Sequence, residues 1–370
     1  MRPDDLIPRE GWYPRQARGG WLSLRIGTAL GITFLTCFVT GMISHFHQHP
    51  SLISLPPEPA WGYAVSQGLH VTSGIVSLPL LAVKLWSVAP RFWKRPLVGG
   101  LLRMAERASV LVLVASAIFE LVTGLLNVAE IYAFGFYFPP VHYAVAWLAI
   151  GAIVVHVAVQ LPQVRRHWAE PEPDEPVVGG LDRRDVLRLA GVAALIAAVS
   201  TAGDKIPALR PFGIFSQRSG NGPQSLPVNR SAAAAGVTVT PDWRLHVVDG
   251  EDEREFRLED LQALPQHTAQ LPIACVEGWN AWATWEGVRL AELIGGADGV
   301  TALTVRSPDP GGYGGSVVTP ATLNHPDALL ALKLNGETLS LDHGYPARLI
   351  APNRPGAMQT KWVTRIEVHR

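Results

Sequence analysis

Three stretches of this chain, residues 26–44, 59–83 and 141–164, contain no Asp, Glu, Lys or Arg. Each reaches the roughly 20 residues that an α-helix needs to cross about 30 Å of hydrocarbon. Residues 108–129 form a fourth run, interrupted only by Glu120, and 189–202 a shorter, Ala-rich one. The expectation is four membrane spans, with a fifth run that is either a span or a signal-like segment. Charged residues make up 17% of the 370, against about 25% in an average soluble domain. The 31 basic and 31 acidic residues cancel, which removes the electrostatic case for nucleic-acid binding. Cys37 and Cys275 fall in regions of different character, so no disulfide framework is expected.

Cations set an orientation. Arg2, Arg9, Arg15, Arg18 and Arg25 precede or open the first run, and Lys84, Arg91, Lys94, Arg95, Arg103 and Arg107 separate the second from the third in chain order. The loops around His47 and Phe136 carry none. The N-terminus is therefore expected in the cytoplasm, with the segment after the last run outside it, in an inner-membrane protein. An acidic, proline-rich linker, 169–176, leads to Leu181-Asp-Arg-Arg-Asp-Val-Leu187. The pair Arg183–Arg184 ahead of an apolar run resembles a twin-arginine export signal; flanking charge is the alternative. The chain divides on this reading into a leader (1–25), a helical block (26–164), a linker with the fifth run (165–205) and a C-terminal domain (220–370).

Histidines mark the helical block. His142 and His156 stand 14 residues apart, close to four turns, so they share one helix face at levels about 21 Å apart. His70 lies 21 residues before Arg91 and His142 lies 23 before Arg165, which puts both imidazoles at a similar depth. Such a pair suits one b-type haem between two helices, or else an interhelical hydrogen bond. His45, His47 and His49 form a surface trio, read as a metal tract or as interfacial residues. Glu120, deep in its run, is either part of a proton path to quinone or a protonated carboxyl bonded to a neighbouring helix. Cys37 reads as a small buried hydrophobe.

This region resembles the four-helix b-type cytochrome subunits of bacterial respiratory enzymes, the formate dehydrogenase gamma subunit and its cytochrome b561 relatives. The resemblance implies a haem on His70 and His142, and a second, inner haem on His156. The first run offers no histidine near its cytoplasmic start to partner His156, and Lys84, 14 residues after His70, does not replace one.

From about residue 220 the texture changes to short β-type runs, 243–248, 302–306 and 347–351, broken by Gly and Pro. This reads as a separate domain. Cys275 stands in Leu271-Pro-Ile-Ala-Cys-Val-Glu-Gly-Trp279, with Trp282 and Trp285 following. By composition alone it is an inert core thiol or a reactive one. Residues 330–336 (Leu-Ala-Leu-Lys-Leu-Asn-Gly), 342–352 (Asp-His-Gly-Tyr-Pro-Ala-Arg-Leu-Ile-Ala-Pro) and Gln359-Thr-Lys-Trp-Val complete a recurring pattern.

That pattern resembles the molybdopterin domain of the sulfite oxidase family. The resemblance implies that Cys275 ligates molybdenum, a role suited to a soft thiolate, and that His343, Arg348 and Lys361 grip the pterin phosphate. It extends to Asn229, Arg230, Ser307 and Asp309 as cofactor contacts. Sulfite oxidases place substrate-binding arginines soon after the metal cysteine. Here the following residues are Val276, Glu277, Gly278 and Trp279, closer to the bacterial periplasmic methionine sulfoxide reductase type.

The resulting expectation is an all-α transmembrane four-helix bundle with a fifth helix, followed by a mixed α+β domain. Its function would be oxygen-atom and two-electron transfer on a small oxyanion, S-oxide or N-oxide. Molybdenum-molybdopterin and haem b would be the cofactors, with quinone and the lipid bilayer as partners. A non-catalytic molybdopterin-binding module on a membrane anchor, and a haem-free, histidine-lined membrane protein, are the alternatives.

Overall fold

A computed structural model describes residues 19–92, 100–129, 131, 135–169, 181–202, 207–213 and 222–370. The leader up to Arg18, Lys94 and Arg95, and the linker from 170 to 180 lie outside the described residues. By its internal contacts the chain separates into two compact units, Met1–Val39 with Leu69–Ser216, and Thr40–Gly68 with Gln217–Arg370.

Five long helices follow one another: α1 (Gly20–Gln48), α2 (Gly62–Phe92), α3 (Leu101–Val128), α4 (Phe138–Ala169) and α5 (Arg183–Ala202). Each contains a segment long and apolar enough to cross a membrane, including the Ala-rich fifth run. In the first unit, Leu22 and Ile26 of α1 pack with Leu80 of α2 and with Val186 and Ala190 of α5. One level along, Phe34, Leu81, Ala117 and Leu121 form a second cluster, which Ile153 of α4 joins. The apolar residues Ile32, Leu35, Val154, Val157, Leu195 and Ile196 face outward. A surface of that kind suits hydrocarbon rather than water. Inside, Ser77 Oγ donates to Thr33 Oγ1 at 2.8 Å, and Lys84 Nζ donates to the Ser23 carbonyl and hydroxyl, both at 2.7 Å. Small hydroxyl side chains at helix contacts let backbones approach and supply such bonds.

The second unit holds two five-stranded sheets. The first has the order β2 (Asp252–Phe256), β1 (Leu245–Asp249), β10 (Arg365–His369), β5 (Ala302–Arg306), β6 (Gly315–Val318), with β1 and β10 parallel. The second runs β3 (His267–Ala274), β4 (Asn280–Arg289), β7 (Leu329–Leu334), β8 (Glu337–Thr338), and β9 (Arg348–Ile350) also pairs with β7. The expected strand at 302–306 is β5; those at 243–248 and 347–351 are observed one or two residues shorter or shifted. Strand β7 explains why its sequence, Leu-Leu-Ala-Leu-Lys-Leu, does not alternate. Leu330 and Leu332 enter a core shared with Val247, Val305 and Ile366 of the first sheet, while Leu329, Ala331 and Leu334 enter another with Ile273, Cys275 and Trp285. A strand covered on both faces is apolar along nearly its whole length, here at every position but Lys333, which pairs with Glu286.

Candidate functional sites

Cys275 directly follows Ala274, the last residue of β3. Its amide donates to the Trp279 carbonyl at 2.9 Å and its carbonyl accepts from Gly278 at 3.1 Å, closing a tight turn. Gly278 has φ 99°, a conformation that glycine adopts at little cost. Trp279 donates from Nε1 to the buried Glu277 carboxylate at 3.0 Å. The thiol is 3% exposed, and burial together with the neighbouring Glu277 charge pushes its pKa far up. A thiol in such surroundings is inert as a free group, whereas coordination by a metal cation deprotonates it outright.

The cations implied by the resemblance converge in this unit. A 3-10 turn, Leu341–His343, is capped by Ser340 and presents His343, which is completely buried. His343 Nε2 contacts the Pro223 carbonyl at 2.9 Å, so that nitrogen carries the proton, and Nδ1 is buried without a hydrogen-bond partner. Burial and the Arg348 charge lower its pKa to about 4. Arg348, on β9, is 1% exposed, donates from Nη1 to the His343 carbonyl at 3.2 Å and lies 5.4 Å from the Trp285 ring centre. Its Nε has no partner. Lys361 Nζ donates to the carbonyls of Arg230 and Asp342 at 2.8 and 2.7 Å, and burial drives its pKa well down. Gly344 turns the chain between His343 and Arg348 at φ 109°, where an added Cβ would meet Lys361 at 3.1 Å. Trp362 holds φ 51°, strained for an aromatic residue, a cost that folds tend to carry at functional sites.

Arg230 completes this group by pairing with Asp309 at 3.4 Å, and Asp309 in turn accepts the Gly311 amide at 2.8 Å. Ser307 Oγ accepts the Asp309 amide at 3.2 Å; Asn229, half-buried, precedes Arg230. Thus Arg230, Asp309, Asp342, His343, Arg348 and Lys361 form one neighbourhood, and Cys275 packs in the same core cluster as Trp285, the ring beside Arg348. Among the described residues, Arg348 and Lys361 have no carboxylate in ion-pairing contact. Buried basic side chains outside any ion pair, beside unpartnered nitrogens, fit an anionic cofactor.

Sequence reasoning missed the part played by residues 40–68. Within the second unit, Gln67 Nε2 donates to the Val276 carbonyl at 2.8 Å, next to Cys275. Asn353 Oδ1 accepts the Tyr63 amide at 2.6 Å, and Asn353 Nδ2 donates to the Pro56 carbonyl at 2.8 Å. Arg354, 8% exposed, was overlooked because it falls between the two recognised motifs. The histidine trio does not converge: His47 stands edge-on to Tyr63 at 5.2 Å, while His45 and His49 stack at 4.3 Å. Residues two apart on a helix point away from each other.

In the first unit His70 and His142 meet, with ring centres 6.4 Å apart. His70 Nδ1 contacts the Cys37 carbonyl at 2.9 Å, and His142 Nδ1 contacts Thr123 Oγ1 at 2.8 Å. Thr123 donates its own proton to the Phe119 carbonyl at 2.7 Å, so it accepts from His142. Both imidazoles therefore carry hydrogen on Nδ1 and hold an Nε2 lone pair. Glu120 Oε2 lies 3.1 Å from His142 Nε2, which requires a protonated carboxyl in that tautomer. His156, on α4, is not brought to this pair and is half-exposed.

Residues 233–370 match the family model of the oxidoreductase molybdopterin binding domain. The second unit thus carries a molybdopterin-binding oxidoreductase domain of the sulfite oxidase type. The chain is 29% identical over 187 residues to the mitochondrial sulfite oxidase of Drosophila melanogaster, covering 43% of this chain and 32% of the relative. It is 29% identical over 154 residues to the sulfite oxidase of Arabidopsis thaliana, covering 32% and 39%. It is 33% identical over 119 residues, 32% of this chain and 45% of the relative, to YedZ1 of Azospira oryzae, a protein named as a candidate protein-methionine-sulfoxide reductase subunit. The crystal structure of the sulfane dehydrogenase SoxCD from Paracoccus pantotrophus matches with TM-score 0.33 and 26% identity, covering 36% of this chain and 40% of that one. The chain spans less than half the length of each of these relatives.

Proposed function

We propose that this chain is a membrane-bound molybdenum oxidoreductase whose soluble domain exchanges an oxygen atom and two electrons with a small oxyanion, S-oxide or N-oxide, and whose helices carry a b-type haem that passes the electrons to or from quinone. The observation that carries the reading is the pair of buried basic side chains outside any ion pair, Arg348 and Lys361, assembled with the unpartnered His343 Nδ1 and joined through Trp285 to the core cluster that holds Cys275. Cys275 would hold the metal, and His343, Arg348 and Lys361 the pterin phosphate, with Asn229, Arg230, Ser307 and Asp309 along the cofactor's flank. The molybdenum centre supplies the oxygen-atom and two-electron chemistry when bound. The chain's own part is to exclude water around Cys275, to answer the phosphate charge, and to hold the metal thiolate in the turn closed by Gly278.

For the haem, His70 and His142 are the ligands, each oriented by its Nδ1 bond, to the Cys37 carbonyl and to Thr123. Bonds of this type fix the tautomer and raise ligand basicity. His156 is kept as a ligand only for a second haem. The Glu120–His142 contact favours a second reading, a haem-free proton path. The topology proposed is a cytoplasmic N-terminus and an extracytoplasmic C-terminal domain in the inner membrane, with Arg183–Arg184 as an export signal. Metal analysis and an optical spectrum of the detergent-purified protein test the two cofactor assignments. Molybdenum with haem supports the proposal, molybdenum in a colourless protein supports the second reading, and absence of molybdenum overturns the first.

A further inference from the structure

A buried guanidinium is tolerated where something answers its charge. The pterin phosphate accounts for Arg348 and Lys361 in the function proposed above, and it leaves a third buried cation unexplained. Arg354 is 8% exposed, and among the described residues no carboxylate pairs with it. Two of its nitrogens donate to the carbonyls of Val317 and Met358, at 3.0 and 2.9 Å, while Nε is buried with no partner.

The backbone places this residue beside the end of the strand that leads to the metal cysteine. Pro355, the next residue, forms a parallel bridge with Ala274, so the backbone of Arg354 runs beside the residue preceding Cys275. Asn353, the residue before Arg354, accepts the Tyr63 amide at 2.6 Å, His47 stands edge-on to Tyr63 at 5.2 Å, and Gln67, one turn along α2 from Tyr63, donates to the Val276 carbonyl next to Cys275. Tyr63 is 1% exposed, and its hydroxyl lies 3.1 Å from Ser44 Oγ. All of these residues belong to the second unit, although His47 and Tyr63 come from the ends of α1 and α2.

We propose that Arg354 is the anion-binding residue of the Cys275 site, and that His47 and Tyr63 complete the subsite from the segment joining the first two long helices. The ligand it takes is a small oxyanion, or a neutral oxide whose oxygen bears most of the negative charge. The cation missing from the turn after Cys275 is thus supplied from further along the chain, and the polar wall from a stretch more than 200 residues earlier. This inference rests on the molybdenum reading of Cys275.

The test uses full-length protein in detergent, assayed first for molybdenum, with sulfate as the probe. Sulfate should perturb the molybdenum paramagnetic resonance signal of the partly reduced protein and saturate. Arg354→Gln should weaken that titration on the order of tenfold, as loss of a charge-assisted bond does. Arg354→Lys should lie between, and Tyr63→Phe and His47→Gln should weaken it less. A signal indifferent to sulfate, or an Arg354→Gln protein that titrates like wild type, overturns the proposal. Should Arg354→Gln fail to fold, wild-type titrations in both Arg354→Lys and His47→Gln overturn it instead. Should wild type hold no molybdenum, the functional reading is what fails. Sulfate binding read directly by titration calorimetry then decides the anion site: binding weakened in Arg354→Lys and His47→Gln upholds it, and no binding overturns it.

Discussion

At the scale of single residues, Cys275 is where core packing and metal ligation make different predictions. Serine is close to cysteine in size, so as a core change Cys275→Ser should cost about 1–3 kcal/mol for burying a hydroxyl, and the fold should survive. As a ligand change it should abolish turnover and molybdenum retention while the spectrum of any haem on His70 and His142 stays intact. Unaltered molybdenum content and activity in the variant would remove Cys275 from the site. His343 yields a prediction about pH. Its folded pKa of about 4 lies below the ordinary 6.5, so the unfolded chain binds more protons between those values. Stability of cofactor-free protein is therefore expected to fall as pH drops from 6.5 towards 4, and His343→Gln should flatten that part of a melting-temperature profile. A phosphate beside Nδ1 would raise the folded pKa, so loaded protein should lose less over the same window. A variant whose profile matches wild type counts against this account.

At the scale of elements, the turn from His343 to Arg348 depends on a left-handed Gly344 with Lys361 close behind it. Gly344→Ala should cost about 1–2 kcal/mol from backbone conformation alone, more if Lys361 has to move, and should lower the denaturation midpoint and molybdenum content together. On the helices, His70→Ala or His142→Ala should abolish a bis-histidine haem spectrum, and His156→Ala should leave it. Loss of half the haem in His156→Ala would mean that two haems are present. The long helices were legible beforehand, because uncharged runs are a local signal; Cys275, His343, Arg348 and Lys361 were singled out through the resemblance that three short motifs carry, and their roles belong to the proposal. Asn353 and Gln67 were not legible. Each is an ordinary polar residue by sequence, and what distinguishes it is a partner some 200 or more residues away, at Tyr63 and Val276. β7 was blurred for a different reason, since burial on both faces erases the alternation that marks a strand.

At the scale of the whole chain, the orientation set by the cations predicts that a reporter fused after Arg370 is active only outside the cytoplasm. Cytoplasmic activity would overturn both the topology and the export reading of Arg183–Arg184. The discontinuous second unit makes a further demand. Asn353 bonds both Pro56 and Tyr63, so Asn353→Ala leaves a buried backbone donor and an acceptor to find new partners, at about 1–3 kcal/mol. A lowered melting midpoint for this unit would bear that out, and an unchanged one would show the contact to be incidental. Residues 217–370 expressed alone should be less stable for the same reason, and should regain stability when a peptide of residues 40–68 is added.

Because one unit draws on both Thr40–Gly68 and Gln217–Arg370, its earliest part leaves the ribosome well over a hundred residues before the rest. During synthesis the early strip must wait, with Tyr63 and Gln67 uncovered, until the last strand, β10, is made. The same arrangement bears on proteolysis. A cut between Ala202 and Gln217 would break the polypeptide, yet the bonds from Asn353 to Pro56 and Tyr63 and from Gln67 to Val276 would still join the fragments. Two bands on a denaturing gel would then run as a single species in detergent.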